Sequence, residues 1–491
     1  MRSSGVLLPL FSLPSPYGIG SMGEEAKKFI DFLSKSEQSY WQVLPLGWTS
    51  FGDSPYAPVS TFAGGINYID LDTLVSEGLL TYEEVHELIT PNQNIDYALL
   101  YHTRTPLLKR AYERFKTKDQ IAFITFVQEN QDWLEDFSLF MSIKETLFGA
   151  SFNVWPTDLM LHKKEAIAEF AKNNSELINF YRFTQYIFFK QWQSIIDYAH
   201  EKGIKIIGDA PIYMAYDSAD VWSHPELFDL DERRVPKKVA GVPPDYFSSD
   251  GQLWGNPLYR YDVMKKDHYA WWINRLKHLG KMYDVIRLDH FRGFSGYWAI
   301  PYGDVNAKRG SWLKGPGIAL FNQIKKELPH LELILEDLGI LTPDVFALKK
   351  KVELPGMAVL QFGFGGEDSL HLPHNYVPLQ VAYTGTHDNQ TLRGWYEGLD
   401  YYTKQRVNHY LCIDQHQSFN DQAIKWLFAS SADLVIIPLA DWLNLGDEAR
   451  INEPSTMGKN WQYRLNSYLL SEQIISKMRE YTITYYRYRR K

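Results

Sequence analysis

The chain of 491 residues has almost no cysteine, no surplus of positive charge and no long apolar run. Each absence excludes something. A lone cysteine, Cys412, rules out a disulfide framework and fits a reducing compartment; it reads as a small core hydrophobe. Lys and Arg total 51 against 59 Asp and Glu, a formal charge of −8 that argues against a nucleic-acid binder. No uninterrupted apolar stretch approaches the roughly 20 residues needed to span a bilayer. The amino-terminal MRSSGVLLPLFSLPSPYGIG places Arg2 before an apolar patch. Pro9 and Pro14 break that patch, and no small-x-small cleavage site follows. It reads as a first buried strand entering a loop, and the protein as cytoplasmic. Internal repeats and low-complexity segments are also lacking. The carboxyl-terminal YYRYRRK is a small basic cluster, read as a solvated helix end.

What the chain does have is rings: 15 Trp, 32 Tyr and 27 Phe. Most will be core, but a surplus suits a protein that stacks ring faces on a ligand carrying hydroxyls at its edges. The length allows one large α/β barrel with insertions, or two to three ordinary domains. Short apolar runs decide between these. They are VLLPLF (6–11), WQVLPL (41–46), IKIIGDA (204–210), DVIRLDH (284–290), LELILED (331–337), MAVLQF (357–362), QVAYTGT (380–386) and LVIIPLA (434–440). Near-continuous hydrophobic runs are the mark of parallel strands buried on both faces. Helical patterns lie between several of them. Ala26, Phe29, Ile30 and Leu33 follow helical spacing after the first run. Phe188, Trp192, Ile195, Ile196 and Ala199 do so before the third, with Gly203 placed as a left-handed cap. Eight such β/α units predict a (β/α)8 TIM barrel. The whole chain, 1–491, then forms a single barrel. The polar, helix-like stretch 75–170 reads as an inserted helical subdomain, and 214–265, rich in Pro, Gly and aromatics, as an inserted loop region.

In this fold the active site lies at the carboxyl-terminal ends of the strands. Acids cluster there: Asp209, Asp289, Glu336 with Asp337, and Asp388, with His290 and His387 beside two of them. A single polar residue at a strand end is as often a cap or an ion pair as a functional group. Four such strand ends together are hard to attribute to capping. Residues two apart in a strand share a face, so Arg287 and Asp289 point the same way. A cation there is expected to lower the pKa of Asp289, as a carboxylate nucleophile needs; a structural ion pair would look identical. Leu333, Ile334 and Leu335 make apolar surroundings for Glu336, and desolvation would keep it protonated, as a general acid needs. One carboxyl pushed down and one pushed up is an acid/base pair with divided roles. Retaining glycoside chemistry uses such a pair, about 5–5.5 Å apart. A third acid, Asp388, would stabilise positive charge or hold hydroxyls.

RLDHFRGF, ILEDLG and TGTHDNQT resemble the three catalytic-carboxylate regions of α-glucan-acting barrel enzymes, most closely the amylomaltases, or 4-α-glucanotransferases. The resemblance runs nearly end to end, through LPSPYGIGSMG, DSPYAPVSTFAGG, GDAPIYMA, GVPPDYFSSDGQLWGNPLY and RINEPSTMGKNWQYR. It implies that Asp289 is the nucleophile, Glu336 the acid/base and Asp388 the transition-state stabiliser, with His387 beside it on sugar hydroxyls. Arg287 would orient Asp289 and keep it ionised. Ser54, Tyr56 and Asp209 would line the donor subsite, and Gln252, Trp254 and Asn460 would complete the groove. Tyr246 and Phe247 would lie on a loop over the acceptor side. Trp254 suits a stacking platform without the family; the plain alternative is a tryptophan plugging a loop. The implied substrates are maltooligosaccharides, maltodextrin or starch-type glucan, with no cofactor, metal, nucleic acid or membrane. Two departures stand out: Gly65-Ile66 where the family more often has Asn-Pro, and Lys459 where a glycine often precedes the Asn-Trp pair. The extra amino-terminal domains and the separate carboxyl-terminal β-domain seen in some α-glucan enzymes are not expected here.

Three rival readings share these residues. An α-glucan hydrolase would use water as acceptor. A divalent-metal site could be assembled from Asp289, His290, Glu336, Asp337, His387 and Asp388, although Arg287 would compete with the metal. A non-catalytic glucan-binding protein would have no need of a complete carboxylate trio.

Overall fold

The structure, a computed structural model, describes residues 2–49, 52–90, 94–244, 249–339, 341–366 and 369–488. Its strands, in chain order, are β1 (Ser3–Leu7), β2 (Tyr40–Gln42), β3 (Lys205–Ala210), β4 (Lys238–Val242), β5 (Gln252–Pro257) and β6 (Val285–Leu288). There follow β7 (Gly296–Pro301), β8 (Ser311–Lys314), β9 (Glu332–Leu335), β10 (Gly356–Val359), β11 (Gln380–Tyr383) and β12 (Leu434–Pro438). Strands β1, β2, β3, β6, β9, β10, β11 and β12 pair in that order and close on themselves, every pair parallel. This is the (β/α)8 barrel that the eight apolar runs predict. Its first two strands stop earlier than their runs. β1 ends at Leu7 and Leu10–Ser12 forms a 3-10 turn, because Pro9 has no N–H to give a ladder. β2 ends at Gln42, three residues before Pro45.

Alternation along the strands sorts side chains between two cores. Leu7, Ile207, Val285, Ile334, Met357, Val381, Tyr383 and Ile436 pack together inside the barrel. Ile206, Ile286, Leu288, Leu333 and Leu335 face outward and join the helices. Counting on by two from the inward residues puts Asp209, Arg287, Asp289 and Glu336 on the inner side, at the upper end of the barrel. The same count sends Asp337 outward.

The helix Glu24–Lys35 buries Ala26, Phe29, Ile30 and Leu33 as the spacing predicts. Helix Ser175–Glu201 ends in a left-handed Gly203 (φ +69°), where the Ile204 N–H donates to the Ala199 carbonyl at 2.7 Å. Between β2 and β3, the stretch 75–170 carries helices Tyr82–His86, Tyr97–Phe115, Ile121–Glu129, Gln131–Thr146, Thr157–Met160 and Lys164–Asn173. The stretch 214–265 is more ordered than a loop. It holds β4, β5 and the helices Ala219–Ser223 and Tyr261–Met264. Strands β4 and β5 join β7 and β8 in an antiparallel sheet of order β5-β4-β7-β8. Val239, Ile300 and Ala307 form its small separate core. These strands pair across β6, so no local pattern announces them.

Two surface expectations are corrected. Cys412 is exposed, in a left-handed turn (φ +51°) after helix Tyr401–Tyr410, and is no core residue. Arg487 in the basic cluster is buried rather than solvated. It donates to the carbonyls of Phe428 at 2.8 Å, Ser430 at 3.0 Å and Ala432 at 3.0 Å, anchoring the chain after helix Glu472–Thr484 to the end of helix Phe419–Ala429. Residues 489–491 of that cluster lie outside the described residues. Among the described residues no helix is long and apolar enough to cross a membrane.

Candidate active site

Strands β3 and β6 are neighbours in register, with Asp209 opposite Arg287. Nη1 of Arg287 donates to both oxygens of Asp209, at 2.8 and 2.6 Å, and to Oδ1 of Asp289 at 3.2 Å. The guanidinium therefore belongs first to Asp209 and only second to Asp289. Tyr56, from the loop after β2, adds a third ligand to Asp209: its hydroxyl donates to Oδ2 at 2.6 Å. Arg287 and Asp209 are both buried, so this is an ion pair taken out of water. Replacing Arg287 with Met leaves two carboxylates in the barrel mouth without their cation. The expected loss is about 3–5 kcal/mol of stability at neutral pH, measured by denaturant unfolding.

β6 and β9 are also adjacent in register, Leu288 opposite Leu335. Asp289 and Glu336 follow these two residues, so the carboxyls stand side by side on neighbouring strands, whose spacing is about 4.8 Å. Backbone bonds hold the two strand ends together: the Glu336 N–H donates to the Leu288 carbonyl, and the Phe291 N–H to the Glu336 carbonyl, both at 2.9 Å. Between them His290 takes a left-handed backbone (φ +48°), unusual for a non-glycine residue, and its N–H donates to Oε2 of Glu336 at 2.6 Å. The Leu338 N–H donates to Oε1 at 3.2 Å.

Burial dominates the titration of both acids. Asp289 is pushed up, to about 6. Desolvation is the largest cause; Arg287 pulls down, and the charges of Asp209 and Asp388 push up again. The lowering expected from Arg287 is thus overturned, because burial outweighs the cation's pull. Glu336 is pushed further, to about 8, by burial first and by the charge of Asp289; the Arg287 charge and the His290 N–H oppose this without winning. The order of the pair survives, with Glu336 the proton holder and Asp289 the stronger acid. His387 and His290 are both lowered by burial, His290 to about 4, so both rings are neutral at pH 7.

The remaining expected residues divide. His387 is buried and stacks on Tyr56, ring centres 5.0 Å apart and planes 13° apart. Asp388 is half-exposed, with Oδ1 3.3 Å from Nε2 of His387. Trp254 stands edge-on to His290 at 4.9 Å, 37% exposed, with its indole N–H on Oε1 of Gln252 at 3.0 Å. Its ring is more than a third exposed and lies against His290, next in sequence to Asp289. Ser54 accepts the Tyr56 N–H at 3.2 Å and shapes the turn that presents Tyr56. Asn460 spends its amide on its own loop, accepting the Glu453 N–H at 2.9 Å and donating to the Thr456 carbonyl at 3.0 Å. Tyr246 and Phe247 lie outside the described residues.

Asp337 does not join the site. It faces outward, pairs with Lys349 and accepts the Met357 N–H at 2.7 Å. That removes one ligand from the metal reading, and among the described residues no group of three or more His, Cys, Asp or Glu side chains is placed to hold a metal ion. Three residues singled out by no earlier reasoning complete the surroundings. Asn452 donates to Oδ1 of Asp388 at 2.6 Å, Arg450 donates to the Asp388 carbonyl at 3.2 Å, and Trp461 lies 6.0 Å from both Tyr56 and His387. Asn452 and Arg450 sit in the RINEP stretch, more than sixty residues from Asp388 in sequence; only an arginine and an amide between prolines and glycines hinted at a site.

Such a barrel mouth belongs to an enzyme that works on glycosidic bonds with two carboxyls of unequal acidity. Relatives of the chain say which bonds. The 4-alpha-glucanotransferase profile of glycoside hydrolase family 77 matches residues 8–470. A 4-alpha-glucanotransferase of Clostridium butyricum is 44% identical over 479 residues, covering 96% of this chain and 98% of that protein. Another, from Streptococcus pneumoniae, is 43% identical over 492 residues, covering 99% and 97%. The amylomaltase of Streptococcus agalactiae, solved in complex with acarbose, superposes with a TM-score of 0.97 at 39% identity, each chain covered completely. The chain belongs to glycoside hydrolase family 77, the 4-α-glucanotransferases. Its reaction moves a segment of an α-1,4-glucan to the 4-hydroxyl of another glucan or of glucose, by retaining double displacement.

Proposed function

We propose that Asp289 attacks the anomeric carbon while Glu336 protonates the leaving glycosidic oxygen, giving a covalent glucosyl-enzyme. Glu336, now ionised, then takes the proton from the incoming 4-hydroxyl as that oxygen displaces Asp289. Asp388 faces the positive charge that develops at the anomeric centre, with His387 on neighbouring hydroxyls. Arg287 holds Asp209 and Asp289 apart and oriented. Asp209, Tyr56 and Ser54 line the donor side, and Gln252 and Trp254 offer a ring face to the glucan. For Asn460 we propose a role through the shape of its loop. Tyr246 and Phe247 are assigned to the acceptor side, over the groove. The observation that carries this reading is the side-by-side placement of Asp289 and Glu336 with Glu336 the less acidic. We read 1–491 as one catalytic barrel, with 75–170 as an inserted helical subdomain and 214–265 as the segment that covers substrate. Maltooligosaccharides, maltodextrin or starch-type glucan are the substrates, in the cytoplasm, with neither nucleic acid nor membrane as partner; the lone cysteine and the charge of −8 support this. By analogy with the acarbose complex of the Streptococcus agalactiae protein, acarbose should compete with donor.

Activity needs Asp289 ionised and Glu336 protonated. Below the pKa of Asp289 the nucleophile is lost; above that of Glu336 the acid is lost. A plot of kcat/KM against pH is therefore expected as a bell with limbs near 6 and 8, both well above free carboxyls. Limbs near 4 would mean that burial does not control the pair. The assignment of transfer is tested with maltotriose alone, with and without a chelator. Glucose and a ladder of longer oligosaccharides should appear without a net rise in reducing ends. Rising reducing ends would make water the acceptor, and loss of activity with chelator would restore the metal reading.

A further inference from the structure

The stretch Arg450–Asn452 follows no barrel strand directly, yet it grips the loop carrying His387 and Asp388 at several points. The Asn452 side-chain amide donates to Oδ1 of Asp388 at 2.6 Å, and its backbone N–H donates to the His387 carbonyl at 3.1 Å. Arg450 donates through Nη2 to the Asp388 carbonyl at 3.2 Å and through Nε to the Asn452 carbonyl at 2.9 Å. The stretch is fixed in turn by the Trp461 N–H, which donates to the Ile451 carbonyl at 2.8 Å.

We propose that Asn452 is a positioning residue for the transfer reaction: it ties Oδ1 of Asp388 so that Oδ2 is the oxygen presented to the glucan. This rests on the reading of Asp388 as a group that acts on substrate. The geometry supports the division of the carboxylate. Oδ1 has both Asn452 and His387 against it, whereas among the described residues no side chain donates to Oδ2. The choice of an amide has a physical reason. A lysine or arginine at this place would orient the carboxylate equally well but would also neutralise it, and a neutralised carboxylate cannot offset positive charge at the anomeric carbon. An amide N–H orients without cancelling. The backbone contacts from Asn452 and Arg450 hold the loop itself, so the side chain at 452 is left with aim rather than with folding. Those contacts also join Asp388 to the loop 453–460, which carries Asn460.

Three variants and one pairing test this. Asn452→Ala should lower kcat for maltotriose about 10- to 100-fold, with KM changed less than threefold, and the midpoint of thermal unfolding should stay close to the wild-type value. Asn452→Asp keeps shape and adds a charge against Asp388. It should lower kcat at least as much as Asn452→Ala, because the carboxylate at 452 repels Oδ1 instead of donating to it. Asp388→Asn should itself be far slower than wild type, and adding Asn452→Ala to it should change little more, since the residue to be aimed is already gone. If Asn452→Ala costs as much on top of Asp388→Asn as it does alone, or if Asn452→Asp is as fast as wild type, Asn452 does not work through Asp388. Asp388→Asn with wild-type activity would instead overturn the role given to Asp388, and the two failures are read from different lanes of the same experiment.

Discussion

Asp289→Asn lowers glucan transfer by about four or more orders of magnitude, with the fold retained. The oxygen that would bond to the anomeric carbon becomes part of a neutral amide, so no glucosyl-enzyme forms and both half-reactions stop. Stability should change little, because the principal partner of Arg287 is Asp209, at 2.6 and 2.8 Å, and that pair is untouched. The check has two parts. Transfer from maltotriose is followed by product chromatography, and mass spectrometry looks for a glucosyl adduct on the peptide containing residue 289 in the wild type. Substantial transfer by the variant would remove Asp289 from the chemistry. A variant that is inactive because it no longer folds would show itself in the unfolding curve and would point to Arg287 being held by Asp289 after all.

Glu336→Gln has two expected effects of opposite sign. Transfer from a maltooligosaccharide should fall about 10³- to 10⁴-fold, because the leaving sugar oxygen no longer receives a proton. A donor whose leaving group needs none, such as α-maltosyl fluoride, should lose much less in the first half-reaction. The glucosyl-enzyme should then accumulate, since the second half-reaction also lacks its base. Equal losses with both donors would mean that Glu336 is not the acid. The second effect is on stability. A carboxyl whose pKa is raised on folding binds its proton more tightly in the folded than in the unfolded chain, so its ionisation opposes folding. Glu336 moves from 4.5 to about 8, and stability is therefore lost as pH rises between those values. The glutamine variant does not titrate. At pH 8 it should be more stable than wild type by about 1–3 kcal/mol, less than the full ~1.4 kcal/mol per pKa unit because part of the carboxyl stays in contact with water. Below about pH 4.5 the difference should vanish. Denaturant unfolding at pH 5 and pH 8 reads this directly; a gain that does not grow with pH would mean the glutamate is not held protonated.

These two results would also separate strain from need. The acid pair is buried at a cost to the fold, where neighbouring strands bring its two carboxyls together. Arg287 is not a counter-charge dedicated to Asp289, as their closeness in sequence suggests. It is shared, and the larger share goes to Asp209 on the next strand.

Much of this was legible along the chain. The barrel strands are apolar because both faces are buried, and a buried run needs no partner to be recognised; hence all eight were visible, with Pro9 and Pro45 trimming the first two. The acids were visible for the same reason, as charges at the ends of runs that otherwise exclude them. The family words then attached roles to residues. Cross-sheet pairing was not visible. Strands β5, β7 and β8 are only partly buried, and β6 interrupts their sheet in sequence, so their pattern reads as loop.

The sequence by itself determined the architecture and put Asp289 and Glu336 at the ends of consecutive apolar runs. Both follow from hydrophobic periodicity, which is local. The tertiary structure alone decided that Asp337 turns outward to Lys349, that Arg487 is buried, that Asp209 outcompetes Asp289 for Arg287, and that Asn452 reaches Asp388. Each of these is a contest between partners far apart in the chain, and the shortest contact in space, not the nearest neighbour in sequence, sets the electrostatics.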